Sequence, residues 1–190
     1  MEPLTYIRQA SLEERINLIM HSPELELDGN AYIGKYELND RKSIITFMAS
    51  KLRLNDVGKN IAYTNFSTGE KITLSGKSIN KLTHNFDFSN ETYQKTLAHI
   101  PQIIEKMQFL EEMPLAPDKK PKFNRYSYYI MQAKIDGESY IILSTVGHMG
   151  EKIYYDQNLF KGTAQEVFAK AKNKTNNPKY SRLNEIVQNI

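Results

Sequence analysis

Residues 126–146 read YSYYIMQAKIDGESYIILSTV, and this stretch decides the fold. Two runs rich in aromatic and β-branched residues flank the dipeptide Asp136-Gly137. A two-residue hairpin turn needs positive φ at both positions, and aspartate followed by glycine suits this requirement. We therefore predict a β-hairpin with strands 126–135 and 139–146.

The length of this turn also predicts the pairing of the two strands. Because side chains alternate between the faces of a sheet, Tyr126 and Tyr128 are expected on the same face. A register shift of one residue would exchange the faces. The predicted cross-strand pairs are Ile135 with Glu138, Tyr128 with Thr145, and Arg125 with His148.

Elements on either side of the hairpin indicate an α+β fold. A third strand, 153–156, is expected after a turn at 147–150, and strands 61–66 and 71–74 precede the hairpin. Ser11 to Glu14 has capping-box spacing at the start of a helix, and a second helix follows Asn39. A helix is also expected over 77–83, and a longer helical region from Asn90 through Leu110 with a break before Pro101.

We thus predict N-terminal helices packed on a mostly antiparallel sheet. The expected organisation is an N-terminal helical segment over 1–58, a main domain over 59–175 and a polar C-terminal tail over 176–190.

Composition excludes several classes of protein. The 190 residues include no cysteine, which excludes disulfide scaffolds, cysteine nucleophiles and thiolate zinc sites. No apolar run reaches the length of a membrane span, and the N-terminal sequence MEPL lacks the features of a signal peptide. We expect no membrane association, and a cytoplasmic protein or one delivered into a target-cell cytoplasm without a cleavable signal peptide. The formal charge of +3 does not by itself indicate a nucleic-acid partner.

Familiar catalytic motifs are absent from the sequence. It contains no metal-binding histidine spacing, no glycine-rich phosphate loop and no Gly-x-Ser-x-Gly. We therefore expect no metal and no cofactor. Chemistry based on lysine, histidine, tyrosine and threonine remains, and metal-independent RNA cleavage is of this kind because the ribose 2′-hydroxyl supplies the nucleophile.

The histidine with the most suggestive context is His84. On a helix, Lys77, Lys81 and His84 are spaced i, i+4 and i+7, which places two cations and an imidazole on one face. Such a face could hold a phosphate and move a proton, and a solvated amphipathic face is the alternative. His148 is expected in a turn between two glycines, where an exposed loop residue is the simpler interpretation.

Half of the twelve tyrosines lie between residues 126 and 155. Most of them are expected to pack in the core or across strands. One or two, with Tyr128 the first candidate, could instead stack on bases or contact phosphate.

The order of these motifs resembles that of the large polyvalent protein-associated domains. These domains occur in polyproteins of phages and conjugative elements and are grouped with the barnase, EndoU, colicin and RelE (BECR) type of nuclease fold. The resemblance covers about residues 60–160 and rests on a strand, a basic helix and an aromatic hairpin. The segments that carry it are 68–75 (TGEKITLS), 77–84 (KSINKLTH), 96–112, 128–129 (YY), 134–140 (KIDGESY) and 154–156 (YYD).

The resemblance implies a BECR-like ribonuclease that acts as a toxin or effector. The catalytic positions it implies are His84, Lys77, Thr145 and Tyr155. The substrate-binding positions we expect are Lys81, Arg125 and Tyr128. Relatives often have a histidine directly after the Tyr-Asp pair, where this chain has Gln157, so His84 or His148 would have to substitute.

We therefore predict a metal-independent endoribonuclease domain of a bacterium or mobile element. Its expected partners are RNA, with tRNA among the candidates, and a cognate immunity protein or antitoxin. The alternatives are a non-catalytic RNA- or protein-binding module of the same fold, and an immunity protein or antitoxin.

Overall fold

The computed structural model describes residues 3–31, 40–51, 61–114, 125–149, 152–173 and 176–188 of the chain. Helices lie on both faces of a five-stranded sheet, and a separate two-stranded sheet is formed by β2 (Ile61–Thr64) and β3 (Lys71–Leu74). The predicted α+β class, with a mostly antiparallel sheet, is confirmed. The helices of the described residues are α1 (Pro3–Gln9), α2 (Leu12–Met20), α3 (Arg41–Lys51), α4 (Gly76–Thr83), α5 (Glu91–Thr96), α6 (Ile100–Lys106), α7 (Ala164–Lys172) and α8 (Ser181–Val187).

The predicted hairpin is confirmed together with its register. Strand β5 (Arg125–Ile135) pairs antiparallel with β6 (Glu138–Met149). Asp136 and Gly137 form the turn with φ of 52° and 81°, as the sequence required. All three predicted cross-strand pairs are present.

The predicted turn after the hairpin is wrong for residues 147–149. These residues continue β6, which pairs with a third strand, β7 (Lys152–Lys161), that is longer than predicted. His148 therefore lies in the sheet between Arg125 and Ile153, and it is buried rather than exposed in a loop. Its two ring nitrogens contact the side chains of Ser127 and Glu70. The local sequence does not indicate these contacts.

Two short strands share the other edge of β5. Strand β4 (Gln108–Pro114) pairs antiparallel with residues 125–130, and β1 (Leu25–Leu27) pairs parallel with residues 133–135. The break predicted before Pro101 is confirmed, because a 3-10 turn at residues 97–99 precedes α6. The predicted helix through Leu110 is wrong, because Met107 is extended and the chain pairs with the free edge of β5 instead.

The two faces of the main sheet bury separate clusters. On one face Tyr129, Met131 and Tyr155 pack with apolar residues of α3 to α6. On the other face Tyr128 and Phe160 pack with α2, α7 and α8. N-terminal helix α2, which begins at the predicted Ser11 capping box, thus packs directly on the sheet.

Residues 176–188 do not form the expected polar tail. They contain a 3-10 turn and α8, and the side chains of Leu183, Ile186 and Val187 are buried against the second cluster. Their spacing of three and four residues is that of one apolar helix face. The predicted boundaries at residues 58 and 175 stay predictions. No helix in the described ranges is long and apolar enough to cross a membrane.

Candidate functional site

The predicted basic helix exists as α4, and its cations are accessible. Ser75 caps the helix through the Ser78 amide, and Lys77, Lys81 and His84 are exposed. His84 ends the helix, where its Nδ1 lies 2.6 Å from the Asn80 carbonyl oxygen. The guanidinium of Arg41 contacts both ring nitrogens of His84. Arg41 was not identified from the sequence, because no local pattern links α3 to α4.

Lys81 connects this helix to the sheet. Its Nζ lies 3.8 Å from the Asp156 carboxylate, which also accepts a hydrogen bond from the Asn85 side chain at 2.9 Å. Burial raises the pKa of Asp156, although Lys81 and Asn85 oppose this change. Asp156 pairs with Thr145, which in turn pairs with Tyr128. Asp156, Thr145 and Tyr128 are therefore neighbours across three adjacent strands. Lys81 contacts the Asp156 end of this row.

Tyr155 does not belong to this row. Adjacent residues of a strand face opposite sides, so Tyr155 lies on the other face from Thr145 and is fully buried. Its hydroxyl shares a hydrogen bond with Ser144 Oγ at 3.0 Å and donates to Gln157 Oε1 at 2.8 Å. Gln157 is also buried and donates to Thr96 Oγ1 at 2.6 Å.

Arg125 lies on the opposite face from Thr145, beside His148. There it joins a partly buried set of charged and polar side chains that we call the Glu70 network. Its members come from α1, the β2–β3 turn, β4, β5 and β6, and they are Arg8, Glu70, Glu112, Arg125, Ser127, Tyr129 and His148.

Glu70 is the centre of this network. Its Oε2 accepts a hydrogen bond from the Tyr129 hydroxyl at 2.7 Å and lies 3.3 Å from the Arg8 guanidinium. Its Oε1 lies 3.6 Å from the Arg125 guanidinium and 3.6 Å from His148 Nδ1. One carboxylate thus contacts two cations, a phenol and an imidazole.

The second carboxylate, Glu112, lies between the two arginines. Its Oε2 is 3.2 Å from Arg8 and 2.9 Å from Arg125. The same oxygen accepts a hydrogen bond from Ser127 Oγ at 3.4 Å, and Ser127 Oγ lies 3.0 Å from His148 Nε2. With His148 neutral, the formal charges of the two arginines and two glutamates cancel.

The side chains of the Glu70 network differ in how far they are exposed to solvent. The Arg8 and Arg125 side chains keep 33% and 42% of their surface exposed, whereas His148 keeps 7%. Burial, assisted by Arg125 and Arg8, lowers the pKa of His148, although Glu70 and Glu112 oppose the shift. Burial and the neighbouring Glu70 raise the pKa of Tyr129. At neutral pH the imidazole can accept a proton and the phenol retains one.

The turn that carries Glu70 is held by Asn65. This residue is buried, and its Nδ2 donates to the carbonyl oxygens of Ile104 and Met107, each at 2.8 Å. Its Oδ1 accepts hydrogen bonds from the backbone and side chains of Ser67 and Thr68. The position of Glu70 is therefore fixed by contacts to α6 and its C-terminal end.

Part of this network was predictable from the sequence. The Asp136-Gly137 turn fixes the hairpin register, and that register pairs Arg125 with His148. Arg8, Glu70 and Glu112 were missed, because Arg8 and Glu70 are 62 positions apart and no local pattern connects them. Three further basic residues close to Arg125 in the sequence, Lys119, Lys120 and Lys122, lie outside the described residues. Within the described ranges, no group of three or more histidine and carboxylate side chains is arranged to hold a metal ion.

Comparison with known protein families identifies a match. The family model of the large polyvalent protein-associated domain 3 matches residues 39–155. This range contains α3 to α6 and strands β2 to β6, and it includes every member of the Glu70 network except Arg8. No curated protein and no solved structure matches the chain.

Proposed function

The chain belongs to the large polyvalent protein-associated domain 3 family, and from this premise we propose that it is a metal-independent ribonuclease of the BECR-like type that acts at the Glu70 network. The observation that carries the proposal is the contact of Glu70 with His148, Tyr129 and two arginines. Proton acceptor, proton donor and phosphate-binding cations are the groups that RNA cleavage by the 2′-hydroxyl requires.

The roles follow from the protonation states. His148, neutral because burial lowers its pKa, would take the proton of the 2′-hydroxyl as it attacks the phosphorus. Glu70 would stabilise the imidazolium that forms. Arg8 and Arg125 would bind the phosphate oxygens as charge develops, and Tyr129 would donate a proton to the leaving 5′-oxygen.

Access of the phosphate depends on Glu112. Its carboxylate occupies the position between the two guanidinium groups, so a phosphate would have to replace it. Arginine binds carboxylate and phosphate with the same planar geometry, which makes this exchange chemically reasonable. Displacement of Glu112 would also open the path to Ser127 and His148.

The test is cleavage of total RNA by the purified full chain in the presence of EDTA. Wild type is compared with His148→Gln and Glu70→Gln, and with His84→Ala and Lys77→Ala at the basic helix predicted from the sequence. We expect the first pair to lose cleavage and the second pair to retain it. Circular dichroism spectra and thermal unfolding of every variant show whether a loss of activity is a loss of fold.

Three results separate the possibilities. No cleavage of any RNA by wild type refutes the ribonuclease. Loss in His84→Ala and Lys77→Ala, with full activity in His148→Gln, moves the reaction to α4. Inducible expression addresses the toxin or effector role, since a toxic ribonuclease arrests growth and its inactive variant does not.

A non-catalytic binding module is the second candidate. The cancelled charges of the network favour it, because balanced ion pairs also serve as structural links between elements. Stable RNA binding by wild type without any cleavage, unaffected by His148→Gln, would support this alternative.

A further inference from the structure

The large apolar side chains that the described residues expose converge on one groove. Tyr6 is 60% exposed, Leu18 is 48% exposed and Phe66 is 63% exposed. All three line a cavity of about 290 Å³ whose other residues include Phe109 and Gln108. We call this cavity the aromatic groove. Single exposed apolar residues need no explanation, but their concentration in one concavity indicates a binding surface.

The aromatic groove is continuous with the Glu70 network. The Arg8 guanidinium, which contacts Glu70 and Glu112, lies 4.8 Å from the centroid of the Phe109 ring. Phe109 packs edge-to-face on Tyr129 with ring centroids 5.6 Å apart. Phe66 and Glu70 belong to the same turn. A strand that bound its phosphate at Arg8 would therefore have its adjacent base beside the groove.

Gln108, one of the residues that line the groove, has a side-chain oxygen without a hydrogen-bond donor in the described part of the chain. Ser22 Oγ donates to the Leu18 carbonyl oxygen at 2.8 Å, so it must accept the hydrogen bond from Gln108 Nε2 at 2.5 Å. This fixes the orientation of the amide. Gln108 Oε1 then has no donor among the described residues. This oxygen is buried, so an N–H group of a nucleobase would reach it only after the amide had moved toward the groove.

From these observations we infer that the aromatic groove is a nucleobase subsite, in which Tyr6 and Phe66 stack on a base of the RNA bound at the Glu70 network. Aromatic rings bind bases of any sequence through their π-faces, whereas an aliphatic surface does not stack. Tyr6 and Leu18 lie outside the family match at residues 39–155. The N-terminal helices α1 and α2 thus contribute to substrate binding. The inference rests on the proposed function, since it takes RNA to be the bound chain.

The test uses binding of nucleoside 3′-monophosphates to the full chain, with ribose 3-phosphate as the probe that lacks a base. We expect the nucleotides to bind about 5- to 150-fold more tightly than ribose 3-phosphate, the range that one base stack provides. Phe66→Leu keeps an apolar side chain without a ring and should lose this advantage. Phe66→Tyr should keep it, and Lys170→Ala on α7 is the surface control.

The outcomes separate the groove from the proposed function. Equal affinity for nucleotides and ribose 3-phosphate, or unchanged nucleotide binding by Phe66→Leu, overturns the subsite and leaves an apolar protein partner as the occupant. RNA cleavage by Phe66→Leu with the KM and base preference of wild type overturns the subsite while the ribonuclease stands. Ring-dependent nucleotide binding without any cleavage supports the subsite and counts against the ribonuclease alone.

Discussion

Replacement of Asn65 by alanine should destabilise the protein more than any exposed substitution. The side chain makes hydrogen bonds to four residues, and the Ile104 and Met107 carbonyls that it bonds lie inside the fold. A buried polar group that loses its partner costs roughly 1–3 kcal/mol. Ser67 and Thr68 are half-buried, so hydrogen bonds to water replace part of what they lose with the Asn65 side chain. We therefore expect a decrease of about 3–5 kcal/mol in the free energy of unfolding.

The assay is urea and thermal unfolding followed by circular dichroism. For a chain of this length, each kcal/mol shifts Tm by about 2–4 °C, so Asn65→Ala should unfold about 10 °C below wild type. Asn17 is an exposed asparagine on α2, and Asn17→Ala is the matched control, expected within about 0.5 kcal/mol of wild type.

Asn65→Asp separates the contribution of the side-chain oxygen to stability from that of the side-chain nitrogen. It retains an oxygen for Ser67 and Thr68 but presents a second oxygen to the Ile104 and Met107 carbonyls. We expect a loss comparable to that of Asn65→Ala at neutral pH. If either variant unfolded within about 1 kcal/mol of wild type, the turn would be held by its backbone alone, and the account of how Glu70 is positioned would be refuted.

Three further predictions concern one face of the sheet. Burial lowers the pKa of His148 from its ordinary 6.5, so the unfolded chain binds more protons and the free energy of unfolding should fall as pH decreases below about 6.5. His148→Gln should remove this part of the pH dependence of unfolding. An unchanged pH dependence in this variant would contradict the prediction. Glu112→Gln should remove the ion pairs of this side chain with Arg8 and Arg125. RNA affinity, measured by fluorescence anisotropy, should then rise severalfold and depend more steeply on salt. Weaker binding would show that Glu112 does not occupy the phosphate position. Tyr155→Phe should lower the free energy of unfolding by about 1–2 kcal/mol through the loss of two buried hydrogen bonds. RNA cleavage by the folded variant should equal that of wild type. A selective loss of cleavage would show that Tyr155 takes part in the reaction.

The sequence was sufficient for elements with strong local signals. Asp136-Gly137 predicted the hairpin and its complete register, because the turn chemistry fixes the pairing of all residues that follow. Ser11 and Pro101 predicted a helix start and a helix break in the same local way. The helix expected through Leu110 failed because the free edge of β5 decided the conformation of residues 108–114, and that edge is a tertiary feature.

The candidate sites show the same division between local and distant information. The helix bearing Lys77, Lys81 and His84 was predictable from spacing within eight residues. The Asp156 carboxylate that pairs with Lys81, and the Arg41 guanidinium against His84, required the packing of α3 and β7 beside α4. The Glu70 network is assembled from five elements, so only its Arg125–His148 pair was visible in the sequence.

The contacts of Arg8 bear on how this chain should be divided for experiments. The predicted N-terminal segment 1–58 contains Arg8, whereas Glu70 and Glu112, its ion-pair partners at 3.3 and 3.2 Å, lie in the predicted main domain. The aromatic groove likewise combines Tyr6 and Leu18 with Phe66 and Phe109. Removal of residues 1–58 would leave Glu70 and Glu112 with one arginine instead of two and would expose the Phe109 ring. A fragment that begins at residue 59 would therefore test neither the network nor the groove, and both must be studied in the full chain.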